Sequence, residues 1–272
     1  MLKTRLIPVL LLKNGQLVRS EDFSVHQIIG DPLHEVKRFN EWNVDELVYI
    51  DITKGDYTYK GRADHKTKDV ESPMQILQNV SKTCFVPLTW GGRIRSYDEA
   101  AACFRNAADK ITLNTALFET PELATKIAND YGQQAVVASM DVMRHDDGAL
   151  EVFCGGRENP TGKDPVEWAR QIEAMGVGEI FLQAIHKDGK GTGYDLDLIE
   201  KVCKAVEIPV IACSGVGTYE HYASAVNAGA SAVAAANIWH FKEMSDKNGK
   251  RALSRAGINV RFKETSRRKR RR

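Results

Sequence analysis

Short apolar runs alternate along the chain with longer stretches whose apolar residues recur every three or four positions. The first pattern fits strands buried in a parallel sheet, the second amphipathic helices packed over them. Strands are predicted near Leu6–Leu11 and over Leu47–Asp51, Phe85–Thr89, Lys110–Leu113, Ala135–Asp141 and Glu179–Ala184, with two more within 208–237. Helices fall between them, over Pro32–Trp42, Met74–Lys82, Ser96–Ala107, Pro121–Tyr131, Pro165–Met175, Leu196–Val206 and Thr218–Ala228, with a last one through Lys250–Ala256. Strands each followed by a helix predict an α/β fold of the (β/α)8 TIM-barrel type, with a doubly wound open sheet as the alternative.

One stretch organises the rest. Residues 86–115 read as strand, glycine pair Gly91-Gly92, helix opening at Ser96 with Asp98 and Glu99 in its first turn, and a strand ending in Asn114-Thr115. The same unit returns at 208–237. Pro87 aligns with Pro209, an offset of 122 (209 − 87), and at that offset Tyr97 meets Tyr219, Asp98 meets Glu220, Ala101 meets Ala223 and Ala108 meets Ala230 without a gap. Two βαβ units can look alike by chance. A whole unit held in register instead points to two related half-barrels, which favours closure.

Composition narrows the class. At 272 residues, 43% hydrophobic and 27% charged, the chain is globular, with residues 1–261 forming one barrel domain. No apolar run approaches a membrane span. The run Leu6–Leu12 leads into a turn at Asn14-Gly15 and reads as a buried strand, not a signal peptide. Five scattered cysteines without a CxxC pair suit a reducing cytoplasm and argue against disulfides or a zinc site, and the histidines lack metal-ligand spacing. No metal or cofactor is expected. The net charge of +2 includes six positive charges at Arg267–Arg272, so the remainder carries −4. Residues 262–272 are read as a basic, disordered tail. Nucleic-acid or membrane-surface contact is the competing reading of the tail alone.

In such a barrel the chemistry sits at the carboxyl ends of the strands. The loops there at Lys13–Gly30, Thr53–Ser72 and Val142–Pro165 are long and polar, as lids tend to be. Gly91-Gly92 before a helix leaves backbone N–H groups open to an anion, and Asn114-Thr115 adds donors at the next strand end. Ser214-Gly215 and Ala236-Asn237 occupy the matching places in the second half, and Gly189 adds a further backbone donor. A glycine after a strand is often only a tight turn, but two matching turns imply a ligand with a phosphate at each end. Asp51, Asp141 and Asp188 lie near strand ends and are the candidate acids and bases, with capping or lysine pairing as the plain alternative. At the opposite end, Arg5, Glu46, Lys110 and Glu179 each begin a strand, and two cations with two carboxylates could close a ring of ion pairs over the floor.

These residues, with the segments GDPLHEVKRFNEW, GGRENPTGKDPVEWA, KDGKGTGYDLDLI and WHF, resemble the cyclase subunit of imidazole glycerol phosphate synthase over residues 1–261. The resemblance implies a cytoplasmic lyase/cyclase subunit of a glutamine amidotransferase complex. A glutaminase partner docks on the barrel floor, and ammonia crosses the barrel to a bisphosphorylated substrate at the mouth. By position it implies that Arg5, Glu46, Lys110 and Glu179 are the ammonia gate. It implies phosphate contacts at Gly92, Asn114, Thr115, Gly189, Gly215, Ala236 and Asn237, a catalytic Asp141, and supporting acids at Asp51 and Asp188. The departures are specific. The family's strand-one aspartate is Leu11, its mobile-loop lysine is Arg19, the third glycine of its GGG turn is Arg93, Asn237 replaces a serine and Ser214 a glycine. An intact gate beside damaged cyclisation chemistry is similar to second-copy subunits of surface-polysaccharide biosynthesis, where the barrel helps supply ammonia to a separate amidotransferase that makes acetamidino sugars. A sugar-phosphate isomerase of the related histidine-pathway barrels ranks last, since it too relies on paired aspartates.

Overall fold

The computed structural model describes residues 3–42, 44–57 and 72–262. Most of the second mouth loop and the tail beyond Phe262 therefore lie outside the described residues. The strands are β1 (Arg5–Lys13), β2 (Gln16–Glu21), β3 (Val25–Gly30), β4 (Leu47–Asp51), β5 (Leu88–Gly91), β6 (Lys110–Leu113), β7 (Val136–Arg144), β8 (Leu150–Phe153), β9 (Glu179–Ala184), β10 (Val210–Cys213) and β11 (Ala232–Ala235). Eight of them pair in parallel in the order β1-β4-β5-β6-β7-β9-β10-β11, and β11 returns to β1 through Arg5↔Ala232 and its neighbours. The sheet is therefore a closed (β/α)8 barrel, as the alternating pattern predicts.

Alternation along the strands divides the apolar residues into two cores. Ile7, Val9, Leu11, Val48, Val137, Phe181, Ile211, Ala232 and Ala234 fill the barrel interior. The intervening positions, Leu6, Leu10, Leu47, Tyr49, Ile111, Ala138 and Ile180 among them, pack outward against the helices. The helices begin where polar residues satisfy their free N–H groups. Asp31, Ser96, Asp164 and Asp195 cap helices Pro32–Glu41, Tyr97–Arg105, Pro165–Ala174 and Leu196–Ala205, and Ser96 forms a reciprocal capping box with Glu99. No helix of the described residues is long and apolar enough to cross a membrane.

The half-repeat is visible in three dimensions. β5 and β10, and β6 and β11, lie 122 residues apart at both ends (210 − 88, 232 − 110). Both turns after the first strand of each pair hold two successive residues in the left-handed region, Gly92 (+87°) with Arg93 (+62°) and Ser214 (+80°) with Gly215 (+91°). The backbone path is shared even though the glycine has moved by one position.

Three expectations change. The third barrel strand is not Phe85–Thr89 but Leu88–Gly91, and Phe85 is 83% exposed. Pro87 has no N–H to give to a ladder, so pairing begins after it. The first long loop is not irregular: β2 and β3 form an antiparallel hairpin continuing from β1, with Leu11 opposite Val18. The fifth loop likewise folds back, as β8 pairs with an extended β7 from Asp141↔Phe153 to Arg144↔Leu150. In both cases polar residues within the loops break the simple apolar pattern and conceal the strands.

Candidate functional site

The floor of the barrel carries the four predicted charges in one ring. Arg5, Lys110 and Glu179 open β1, β6 and β9, and Glu46 immediately precedes β4, so all four side chains enter the interior from the same end. Arg5 reaches Glu46 at 2.8 Å and makes a two-pronged contact with Glu179 at 3.1 Å. Lys110 closes the ring, 3.3 Å from Glu46 and 3.0 Å from Glu179. Thr89 on β5 also donates to Glu46, at its Oε1, at 2.8 Å. Burial works against the charge of Arg5, but Glu179 and Glu46 outweigh it and raise its pKa. Both glutamates are nearly inaccessible, so the ring is a set of mutually compensated buried charges and not a surface cluster. Beside it a fully buried Lys250 binds Asp45 at 2.8 Å, and Asp45 accepts from the Leu6 N–H at 2.9 Å. That contact ties the last helix, Ser245–Arg255, to the two strand starts that carry Arg5 and Glu46.

At the mouth, Asp141 lies near the end of β7, buried to 6% exposure. Gln183 of β9 donates to its Oδ1 at 2.8 Å and Asn114, following β6, to its Oδ2 at 3.1 Å. Burial pushes its carboxyl up to about 7, with the bonds from Gln183, Ser139 and Asn114 pulling the other way and nearby Asp188 adding to the rise. A carboxyl held near neutrality can either take or give a proton.

Asp188 is also buried, which raises its pKa against the bonds it accepts. Those bonds come from the hairpin: Ser20 Oγ donates to Oδ2 at 2.7 Å and the Phe23 N–H at 3.1 Å. Asp188 therefore holds the β2–β3 tip over the mouth. The tip is strained, with Asp22 and Phe23 both at a φ of +54°, and Asp22 is further paired with Lys190 at 2.9 Å. Asp51 is the most fully engaged of the three acids. Its Oδ1 accepts from the Thr53 N–H (2.9 Å) and hydroxyl (2.5 Å), and its Oδ2 from the Tyr57 hydroxyl at 2.6 Å. This bonding suits an anchor for the second loop better than a free proton carrier.

Of the predicted phosphate contacts, Gly189, Gly215, Ala236 and Asn237 line one pocket together with Asp188 and Leu11. A Cβ on Gly215 would strike the Gly193 carbonyl, so the chain passes too closely there for any side chain. Asn237 donates its Nδ2 to the Ser20 carbonyl at 2.9 Å, which joins this cradle to the hairpin. Gly92 sits in the matching turn of the first half, where a Cβ would strike the Asp51 carbonyl. Arg93 beside it lays its guanidinium over the Tyr57 ring, 5.6 Å from the centroid. Asn114 and Thr115 are in place at the end of β6, but the Asn114 amide is used within the protein, since its Oδ1 also accepts from the Gly155 N–H at 2.9 Å. Arg19 lies over Phe241, 5.9 Å from its ring centre.

Leu11 occupies the wall of this pocket, 8% exposed. Sequence reasoning missed Gln183, Ser20 and Tyr57, which hold the three acids. A signal for Gln183 existed, because it follows Glu179 and Phe181 on the inward alternation of β9.

With this geometry in hand, residues 5–245 match a family described as histidine biosynthesis protein. The chain is 35% identical over 261 residues to the imidazole glycerol phosphate synthase subunit HisF of Gluconacetobacter diazotrophicus, covering 96% of this chain and 97% of that protein. It is 37% identical over 265 residues to the subunit of the same name from Thermobifida fusca, covering 96% and 99%. Against that of Corynebacterium glutamicum it is 37% identical over 263 residues, covering 94% and 98%.

Proposed function

This chain belongs to the histidine biosynthesis protein family, and from that premise we propose that it is the cyclase-like barrel subunit of an imidazole glycerol phosphate synthase type of complex. It takes ammonia from a glutaminase subunit docked on its floor and uses it on a bisphosphorylated substrate bound across its mouth. The closed ring of Arg5, Glu46, Lys110 and Glu179 is the observation that carries this reading. A buried four-charge ring contributes little net stability compared with apolar packing, so its placement over the barrel axis argues for a gate. The ring pairs two cations with two carboxylates and so carries no net charge, and its burial disfavours charged ammonium more than neutral ammonia.

At the mouth, the backbone turns at Gly92 and at Gly189 and Gly215 offer N–H groups to the two phosphates, and Asp141 exchanges protons with the substrate between them. Leu11 cannot share that work, so lyase and cyclase turnover is expected to be slow. The test is product formation from ammonia and the bisphosphorylated family substrate by the isolated barrel, repeated with glutamine and the glutaminase. Absence of both activities would defeat the reading.

Leu11 on the pocket wall favours a second reading, in which the barrel activates the glutaminase and conducts ammonia onward without its own turnover. Its customer would be a separate sugar amidotransferase, as in acetamidino-sugar biosynthesis. Glutaminase stimulation without turnover of the bisphosphate would support this reading, and no stimulation would remove it.

A further inference from the structure

The last helix, Ser245–Arg255, has two faces of different character. Gly249, Lys250 and Leu253 are buried against the barrel, while Lys247, Arg251, Ser254 and Arg255 are exposed. Lys247, Arg251 and Arg255 follow one another at four-residue spacing, so they form one stripe with about 6 Å of helix between cations. Like charges at that spacing repel. The helix dipole accounts for Arg255 in the last turn but disfavours Lys247 in the first. Neither arginine has a carboxylate within salt-bridge distance among the described residues, and Arg251 reaches the neutral Asn248 at 3.4 Å.

The chain after the helix turns this stripe into a cleft. Val260 is bridged to Thr4, whose N–H donates to the Asn259 carbonyl at 2.8 Å. Lys250 Nζ donates to the Arg261 carbonyl at 2.9 Å, and the Phe262 N–H to the Val260 carbonyl at 3.0 Å. These bonds hold the half-buried Phe262 beside the helix, where it lines a cleft of about 380 Å³ with Arg251, Ser254 and Arg255. The cleft shares no residue with the mouth pocket or the floor ring.

Two guanidinium forks, a hydroxyl and an aromatic ring, with no acid among them, suit a phosphate joined to a flat ring. The charge distribution points to many phosphates. Residues 247–262 carry five cations and no acid, and residues 263–272 a further net +6. With +2 for the whole chain, residues 1–246 carry −9 (2 − 5 − 6). Such a body repels a polyanion everywhere except at this end. A membrane surface fits less well, because Phe262 is half-buried and no large apolar residue after Met244 is exposed among the described residues. We propose that the cleft binds single-stranded nucleic acid, with Arg251 and Arg255 on its phosphates and one base stacked on Phe262. This is a second site, independent of the conduit reading above.

Fluorescence anisotropy with the full chain and a labelled oligothymidylate of about 12 nucleotides tests it. Three phosphate contacts or more should weaken native binding by roughly twentyfold or more between about 50 and 200 mM salt. The double variant Arg251→Gln, Arg255→Gln should bind about tenfold more weakly, with a salt slope shallower by about 1.4. Both side chains are exposed, so this variant should melt with the native protein. Phe262→Leu keeps an apolar wall but offers no ring face, and it should weaken binding about tenfold with the salt slope unchanged. No binding by the native chain, or equal binding by native and double-variant proteins, overturns the proposal. Displacement of the strand by uridine monophosphate at equal phosphate concentration would mark a free-nucleotide site. Displacement by phosphatidylserine vesicles at equal charge concentration would mark a membrane site. Either displacement also overturns it.

Discussion

Asp141 and Gln183 face each other in the β7–β9 register, and the Gln183 amide holds one carboxylate oxygen at 2.8 Å. The bond favours the ionised acid, while burial pushes the carboxyl up to about 7. A carboxyl raised in the folded state contributes stability below its ordinary range, and that contribution is lost as pH rises through 7. Native protein should therefore lose up to roughly 1.4 kcal/mol per pH unit between about pH 4 and pH 7 from this group. Asp141→Asn should remove that slope and all acid–base turnover. Gln183→Leu, which deletes a donor to the anion, should move the midpoint upward. Urea unfolding at pH 5 and pH 8 for the three proteins checks this, and identical slopes in native and Asn proteins would refute it.

The floor ring gives a second expectation. Lys110→Met leaves Glu46 and Glu179, both nearly buried, sharing Arg5 alone. Removing one partner of a buried charge set strands the others, so the variant should lose roughly 3 kcal/mol or more in chemical unfolding. Replacing a surface lysine such as Lys204, in an exposed i,i+4 pair with Glu200, should cost well under 1 kcal/mol by the same measurement.

Leu11→Asp should restore a second carboxylate to the mouth pocket. If Asp141 is half of a broken pair, ammonia-driven turnover should rise on the order of a hundredfold. Stability should fall by about 2–4 kcal/mol, because the position is almost fully buried beside Val9 and Val18. Activity and melting temperature measured on the same preparation separate the two effects, and unchanged turnover would dismiss the broken-pair idea.

The mouth turn of the second half makes opposite predictions for its two neighbouring residues. Ser214 holds a φ of +80° that a side chain disfavours, so Ser214→Gly should stabilise by up to about 1 kcal/mol. Gly215→Ala should cost roughly 1–3 kcal/mol, since its Cβ would meet the Gly193 carbonyl. It should also abolish binding of inorganic phosphate in a titration. Thermal unfolding with and without phosphate checks both.

Much of this protein was readable in its residues. Apolar runs alternating with helical spacing led to the barrel, and the repeat at a fixed offset matched β5 with β10 and β6 with β11, although it did not set where β5 begins. The four floor charges were legible because each opens a strand or immediately precedes one. Strand starts in a closed barrel meet at one end, so Arg5, Glu46, Lys110 and Glu179 had to be neighbours if the sheet closed.

Tertiary structure decided what a one-dimensional pattern does not carry. The β2–β3 hairpin looked like a polar loop because its stabilising partner, Asp188, lies far away in sequence. Asp51, Asp141 and Asp188 looked equivalent as strand-end acids, yet their partners differ: Tyr57 and Thr53 saturate the first, amides hold the second, and a lid uses the third. Proton affinity depends on burial and on which donors surround a group, and those surroundings exist only once distant strands close into a barrel.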